Sequence, residues 1–197
     1  VDLKAWTIDQ IAEEALRGMA TCGDATPLYG SEPVAGIDWA SVLDAACRAR
    51  RPVLIVGEDV RWGDPWEALF QLADVYRIPF VSSPMARGYL PDTHALCGTR
   101  VRSWLLGEAD LVLMAGASLD WVFRHGAEIH PEARLIRLGF EADGVFQARK
   151  RGIECLGNPA ALLQSLVGAL QAHSERIAVD GNWLRDLAHY KLAYEQR

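Results

Sequence analysis

The chain has 197 residues, half of them apolar and about a quarter charged, with a formal net charge of -6. That length supports one substantial core with appended segments, and the acidic balance argues against the basic face a nucleic-acid binder needs to displace counterions. No run approaches the roughly 18 consecutive apolar residues of a membrane span, and Asp2, Lys4, Asp9, Glu13 and Glu14 interrupt any signal-peptide core.

In chain order, Thr7-Ile8-Asp9-Gln10 has the form of a capping box, and Ile11, Ala15, Leu16 and Met19 continue at helical spacing to Gly23. Residues 21–37 lose periodicity and collect Gly and Pro, which reads as linker. Asp38 opens a second helix with Trp39, Val42, Leu43 and Ala46 on its apolar face, and Pro52 stops it. Val53–Val56 is an apolar run of the kind shown by a strand covered on both faces, ended by Gly57. Asp64 is predicted as N-cap of the next helix, with Pro65 at its first position and Trp66, Leu69, Phe70 and Ala73 buried. Ile78–Val81 supplies the next strand. Strand, crossover helix and strand force a parallel pairing.

Residues 84–98 form a long loop at the carboxyl end of that strand, with a short sixth strand expected at Ala95–Gly98. A short helix at Val101–Leu106 leads to the strand Asp110–Ala115, ended by Gly116, and residues 117–131 read as a second long loop. Leu135–Leu138 ends in Gly139 and Ile153–Leu156 in Gly157, so four of five predicted strands end in glycine. Asn158-Pro159 caps a helix with Leu162, Leu163, Leu166, Val167 and Leu170 as its stripe, and Asp180–Arg197 is amphipathic through Trp183, Leu187, Tyr190 and Tyr194. The fold predicted is α/β, a three-layer sandwich with a mainly parallel six-stranded sheet, Rossmann-like and of the DHS-like NAD/FAD-binding type. Glycines along one sheet edge mark where a ligand or another backbone can approach.

Catalytic signals are weak. His94 and Cys97 are near in sequence but lack an orienting third group, and His125 and His130 have no carboxylate at ligand spacing. Gly57-Glu58-Asp59 is not a GxGxxG fingerprint, and no Walker sequence occurs. Cys22, Cys47, Cys97 and Cys155 form no CxxC pair, which suits reduced cysteines in a cytoplasmic protein. Trp39 and Trp66 read as core, whereas Trp62, Trp104, Trp121 and Trp183 lie in or beside loops and read as partner-facing. The start at Val1 rather than Met points to a processed or excised segment.

The ordered segments RPVLIVGEDV, IPFVSSPMARGYLPDTHAL, ADLVLMAGASLDW, ARLIRLGFEADGV and GNPAALLQSLV resemble the central domain of thiamine-diphosphate-dependent enzymes such as acetolactate synthase, benzoylformate decarboxylase and oxalyl-CoA decarboxylase. The resemblance covers roughly residues 38–172, and IPFVSSPMARGYLPDTHAL carries most of it. It implies a parent of three α/β domains, a dimer or tetramer, with thiamine diphosphate and Mg²⁺ held by the first and third domains and not by this one. The organisation implied is 1–37 as helix and linker from a preceding domain, 38–175 as central domain, and 176–197 as linker helix. The family's "GDG … N" signature is missing, since Gly23-Asp24 and Gly63-Asp64 are followed by Ala25 and Pro65.

In some members of that family the middle domain binds FAD or ADP. By resemblance the groove here comprises Gly57, Glu58, Met85, Gly116, Ala117, Ser118, Asp120 and Gly139. Ser118 stands where the pattern has an arginine, Gly139 where it has an acid, and Asn158 where it has an aspartate. Arg87, Arg100 and Arg124 offer partial substitutes for the arginine, and Glu141 for the acid. Ser, Gly and Asn do not reproduce bidentate phosphate and ribose contacts, and Glu58 and Asp59 place negative charge beside a pyrophosphate. The expectation is a non-catalytic domain with a vestigial nucleotide pocket. The alternative is a stand-alone FAD or adenine-nucleotide carrier similar to the electron-transfer flavoprotein fold.

Overall fold

The computed structural model describes residues 36–147, 152–174 and 176–196. The helix expected from Thr7, the linker up to residue 35 and Cys22 lie outside the described residues. Helix α1 (Trp39–Arg48) begins as expected, with the Asp38 carboxylate accepting from the Ser41 N–H at 3.1 Å. Five parallel strands follow: β1 (Pro52–Val56), β2 (Phe80–Ser82), β3 (Leu111–Ala115), β4 (Arg134–Gly139) and β5 (Gly152–Leu156), in the order β2-β1-β3-β4-β5. Every residue of β1 and β3 is buried, so both faces of the central strands are covered, as parallel sheets require.

The sixth strand shrinks to a single parallel bridge between Phe80 and Cys97. Two backbone bonds make it, Phe80 N–H to Leu96 O at 3.0 Å and Gly98 N–H to Phe80 O at 2.8 Å. Its partner β2 is only three residues long, and the chain turns away at Gly98, where a Cβ would lie 2.5 Å from Leu105 Cδ2. Helix α2 (Trp66–Phe70) also differs from expectation. Pro65, not Asp64, holds the N-cap position, and the helix widens into a π-turn over Gln71–Val75. Its buried set is Ala68, Leu69, Leu72 and Ala73, so Trp66 falls off the stripe, 47 % exposed and against Tyr89 at 4.8 Å between rings.

Helix α3 (Arg102–Glu108) precedes β3, and the single turn α4 (Gly144–Gln147) precedes β5. The expected loop after β3 contains a 3₁₀ turn at Trp121–Gly126. Helix α5 (Pro159–Ala172) is capped by Asn158, whose Oδ1 accepts from the Ala160 N–H at 2.9 Å, and it buries all five predicted stripe residues. Each such aliphatic side chain contributes about 1.5–3 kcal/mol. Among the described residues no helix is long and apolar enough to cross a membrane.

Helix α6 (Gly181–Glu195), read from sequence as a linker, folds back onto the sheet. Trp183, expected to face a partner, is 2 % exposed, and its indole N–H donates to Pro52 O at 3.3 Å. Leu187 is fully buried, and Lys191 donates to His94 O at 3.0 Å and Ala95 O at 2.9 Å. Trp104 stacks on Tyr190 at 4.1 Å and tilts on Trp183 at 5.0 Å, so it too serves this seam. Replacing Trp183 with Ala should therefore lower the unfolding free energy by about 3–5 kcal/mol. Replacing the half-exposed Tyr194 with Ser should change it by less than about 0.5 kcal/mol, both read from urea denaturation midpoints.

Candidate functional site

The strand order reverses between β1 and β3, and in open α/β sheets ligands bind outside the carboxyl ends of strands at such a point. Gly57 and Gly116 sit there. Here the ends of the two strands lie against each other: a Cβ on Gly57 would lie 2.1 Å from Gly116 O and 2.4 Å from Ala117 Cα. The ladder runs on past the strand ends, with Gly57 N–H bonded to Ala115 O at 2.8 Å and Asp59 N–H to Gly116 O at 3.1 Å. Gly116 adopts φ +61°, a left-handed conformation glycine takes without strain, and a Cβ there would meet Val60 N at 2.7 Å. These glycines admit neighbouring backbone.

At Gly139 the neighbour is a side chain. Arg137 on β4 lies in parallel register with Glu154 on β5, so both project from the same sheet face. The guanidinium donates through Nη1 to Glu154 Oε1 at 2.8 Å and to Glu141 O at 2.6 Å, through Nε to Ala117 O at 3.2 Å, and through Nη2 to Ser118 Oγ at 3.4 Å. Asp143 Oδ2 is 3.9 Å away, and Arg137 is only 4 % exposed. A Cβ on Gly139 would fall 2.7 Å from the guanidinium carbon. The arginine thus reaches Ala117, Ser118 and Gly139 together. Sequence reasoning passed over it.

Two of the remaining predicted groove residues, Glu58 and Asp120, have partners inside the fold. Glu58 accepts from the Ser83 hydroxyl at 3.2 Å. Asp120 caps the turn after β3, accepting from the Val122 N–H at 2.8 Å. Met85 is 70 % exposed on the turn Pro84–Ala86, and Trp121 is 77 % exposed. Of the three substitute arginines, Arg87 pairs with Asp92 at 3.0 Å, Arg100 faces Glu195 of α6 at 3.9 Å, and Arg124 faces Glu128 at 3.9 Å. None of these contacts turns a guanidinium toward Ser118. His94 does have an orienting carboxylate, since its Nε2 meets Asp74 Oδ1 at 2.8 Å. Its Nδ1 accepts the Leu96 N–H at 3.0 Å, so neither nitrogen serves Cys97, whose sulfur lies 3.5 Å from Thr99 Oγ1. Among the described residues no group of three or more His, Cys, Asp or Glu is arranged to hold a metal ion.

Carboxylates at this edge titrate away from their ordinary values. Burial pushes the Asp59 carboxyl above its ordinary value, and the neighbouring Glu58 adds to this, while Arg61 and Arg137 oppose it. Burial acts the same way on Asp143 but is outweighed by N–H donors from Leu119, Phe146 and Val145 and by Arg137, so that carboxyl lies below its ordinary value. Burial raises the Cys155 thiol to about 11, which leaves it a packed side chain and not a nucleophile. A carboxylate with a lowered folded pKa stabilises the fold above its unfolded pKa, and this contribution disappears as pH falls through the folded value. Asp143→Asn should therefore cost about 1–3 kcal/mol at pH 7. The deficit should shrink as pH drops below about 4, measured by chemical denaturation across pH.

An all-parallel five-stranded sheet in the order β2-β1-β3-β4-β5, with strands that end in glycine, defines a Rossmann-like α/β domain. A family model for the central domain of thiamine pyrophosphate enzymes matches residues 40–166, and the chain belongs to that family. The chain is 27 % identical over 162 residues to 2-hydroxyacyl-CoA lyase 1 of Homo sapiens, covering 80 % of this chain and 28 % of the relative. It is 29 % identical over 135 residues to oxalyl-CoA decarboxylase of Escherichia coli (strain K12), covering 68 % and 24 %. It is 34 % identical over 145 residues to acetolactate synthase large subunit IlvG of Mycobacterium tuberculosis, covering 71 % and 24 %. The chain therefore spans about a quarter of the length of these curated relatives.

Proposed function

We propose that this chain is the non-catalytic central domain of a thiamine-diphosphate-dependent 2-oxo-acid decarboxylase or carboligase, with a nucleotide groove that has become vestigial. The match to a central domain alone, at a quarter of its relatives' length, supports a parent with flanking thiamine-binding domains. The names oxalyl-CoA decarboxylase and acetolactate synthase bracket the parent reaction as decarboxylation or carboligation. Thiamine diphosphate and Mg²⁺ belong, on this reading, to the flanking domains of a cytoplasmic dimer or tetramer. The Gly63-Asp64 pair fits this assignment, because Pro65 follows it and a Gly63 Cβ would lie 2.6 Å from Ala160 Cβ, a packing reason for glycine there.

FAD or ADP fits the groove poorly. The observation that carries this reading is the guanidinium of Arg137, seated against Ala117, Ser118 and Gly139 and neutralised by Glu154. A phosphate would have to displace a carboxylate already in place, among further carboxylates at Glu58, Asp59 and Asp143. The stand-alone flavin carrier has no comparable observation in its favour. The purified chain should be colourless, should show no thiamine-dependent turnover, and should bind ADP no tighter than about millimolar, roughly 4 kcal/mol. Absorbance near 450 nm and an ADP titration by calorimetry check this. A retained flavin peak or micromolar ADP affinity would overturn it.

A further inference from the structure

We infer that Arg137 is the internal ligand of the carboxyl edge: its guanidinium, matched to Glu154 and Asp143, takes the place where the family pattern puts a phosphate-binding arginine and a ribose-binding acid. The inference rests on the nucleotide-free reading above and adds a cause to it. Ser118 and Gly139 look like losses when read one at a time. Beside Arg137 they are complements. Ser118 offers a hydroxyl to Nη2 at 3.4 Å where an arginine would bring a second positive charge. Gly139 leaves bare the space the guanidinium fills, since any Cβ would come within 2.7 Å of its carbon and of Nη1. Here the positive charge stands on strand β4, next to the loop after β3, and its carboxylate partner comes from β5.

The donor inventory makes this arrangement self-sufficient. A guanidinium has five N–H groups, and four acceptors already face it, two of them backbone carbonyls on different loops. Glu154 Oε1 also accepts the Asp143 N–H at 3.0 Å, and Asp143 Oδ2 accepts the Leu119 N–H at 3.0 Å, so the loops after β3 and β4 are tied to the same cluster. An anionic ligand has nothing to gain from Arg137 unless Glu154 lets go. If Arg137 is the element that remembers an anion, releasing Glu154 should restore an affinity the wild type lacks.

The test compares the 197-residue chain with two variants, Glu154→Gln and the pair Arg137→Met with Glu154→Met, titrated with ADP and with inorganic pyrophosphate by calorimetry. Glu154→Gln keeps the shape and removes the competing charge, so ADP and pyrophosphate should bind about 10-fold more tightly than to wild type, the scale of one charge-assisted hydrogen bond. The paired variant keeps the volume without either charge and should gain nothing. Equal, millimolar binding by wild type and Glu154→Gln overturns the inference while leaving the nucleotide-free reading intact. A gain in the paired variant also overturns it. Micromolar ADP binding by wild type overturns both. A measurement on wild type stands independently of how the variants fold: the Arg137 Nε–H, bonded to a buried carbonyl, should exchange slowly with solvent by NMR and stay unmoved by 5-fold excess ADP over about 1 mM. Rapid exchange, or a shift on adding ADP, contradicts an internal ligand.

Discussion

A guanidinium that is only 4 % exposed has given up nearly all its hydration, so the surrounding chain must meet its donors. Most of the carboxyl edge is arranged to do so. Glu154 comes from β5, Ala117 and Ser118 from the loop after β3, and Glu141 and Asp143 from the segment after β4. Asp143 in turn holds Leu119 and the first turn of α4 through three backbone N–H groups. Replacing such a cluster with well-packed apolar groups can be neutral, but removing one partner leaves an uncompensated buried charge. The cluster therefore fixes one arrangement of these loops more than it adds net stability.

The second constraint is backbone contact at the switch point between β1 and β3. Gly57 is glycine because Gly116 and Ala117 occupy the space of its Cβ, and not because its φ of -103° demands it. In both places the chain's own atoms lie against the glycines that mark the strand ends. The central strands β1 and β3 are covered on both faces, α6 is clamped by Trp183 and Lys191, and the exposed Met85 and Trp121 lie on turns that follow β2 and β3.

Much of the fold could be read from the sequence because buried parallel strands announce themselves as unbroken apolar runs, and glycine marked their ends correctly. The site was harder. Arg137 interrupts Leu135-Ile136-Arg137-Leu138 as any half-exposed strand residue would, and nothing local distinguishes a solvated arginine from a buried one. The usable signal was longer in range: Glu154 at the matching position of the next strand, with Ser118 and Gly139 small where larger residues were expected. Trp66 and Trp183 went astray for a related reason. Periodicity placed Trp66 on a stripe that the π-turn and the position of Pro65 rotate away, and nothing in the sequence said that α6 returns to the sheet at Pro52.

The most direct measurement is a double-mutant cycle on Arg137→Met and Glu154→Met, read from chemical denaturation of the two single variants and the pair. If the guanidinium and carboxylate form one buried unit, each single replacement strands a charge and costs about 3–5 kcal/mol, and the pair is no less stable than the better single variant. The coupling energy should then approach about 3 kcal/mol. Additive losses, with a coupling below about 0.5 kcal/mol, would show that Arg137 and Glu154 do not form one buried unit.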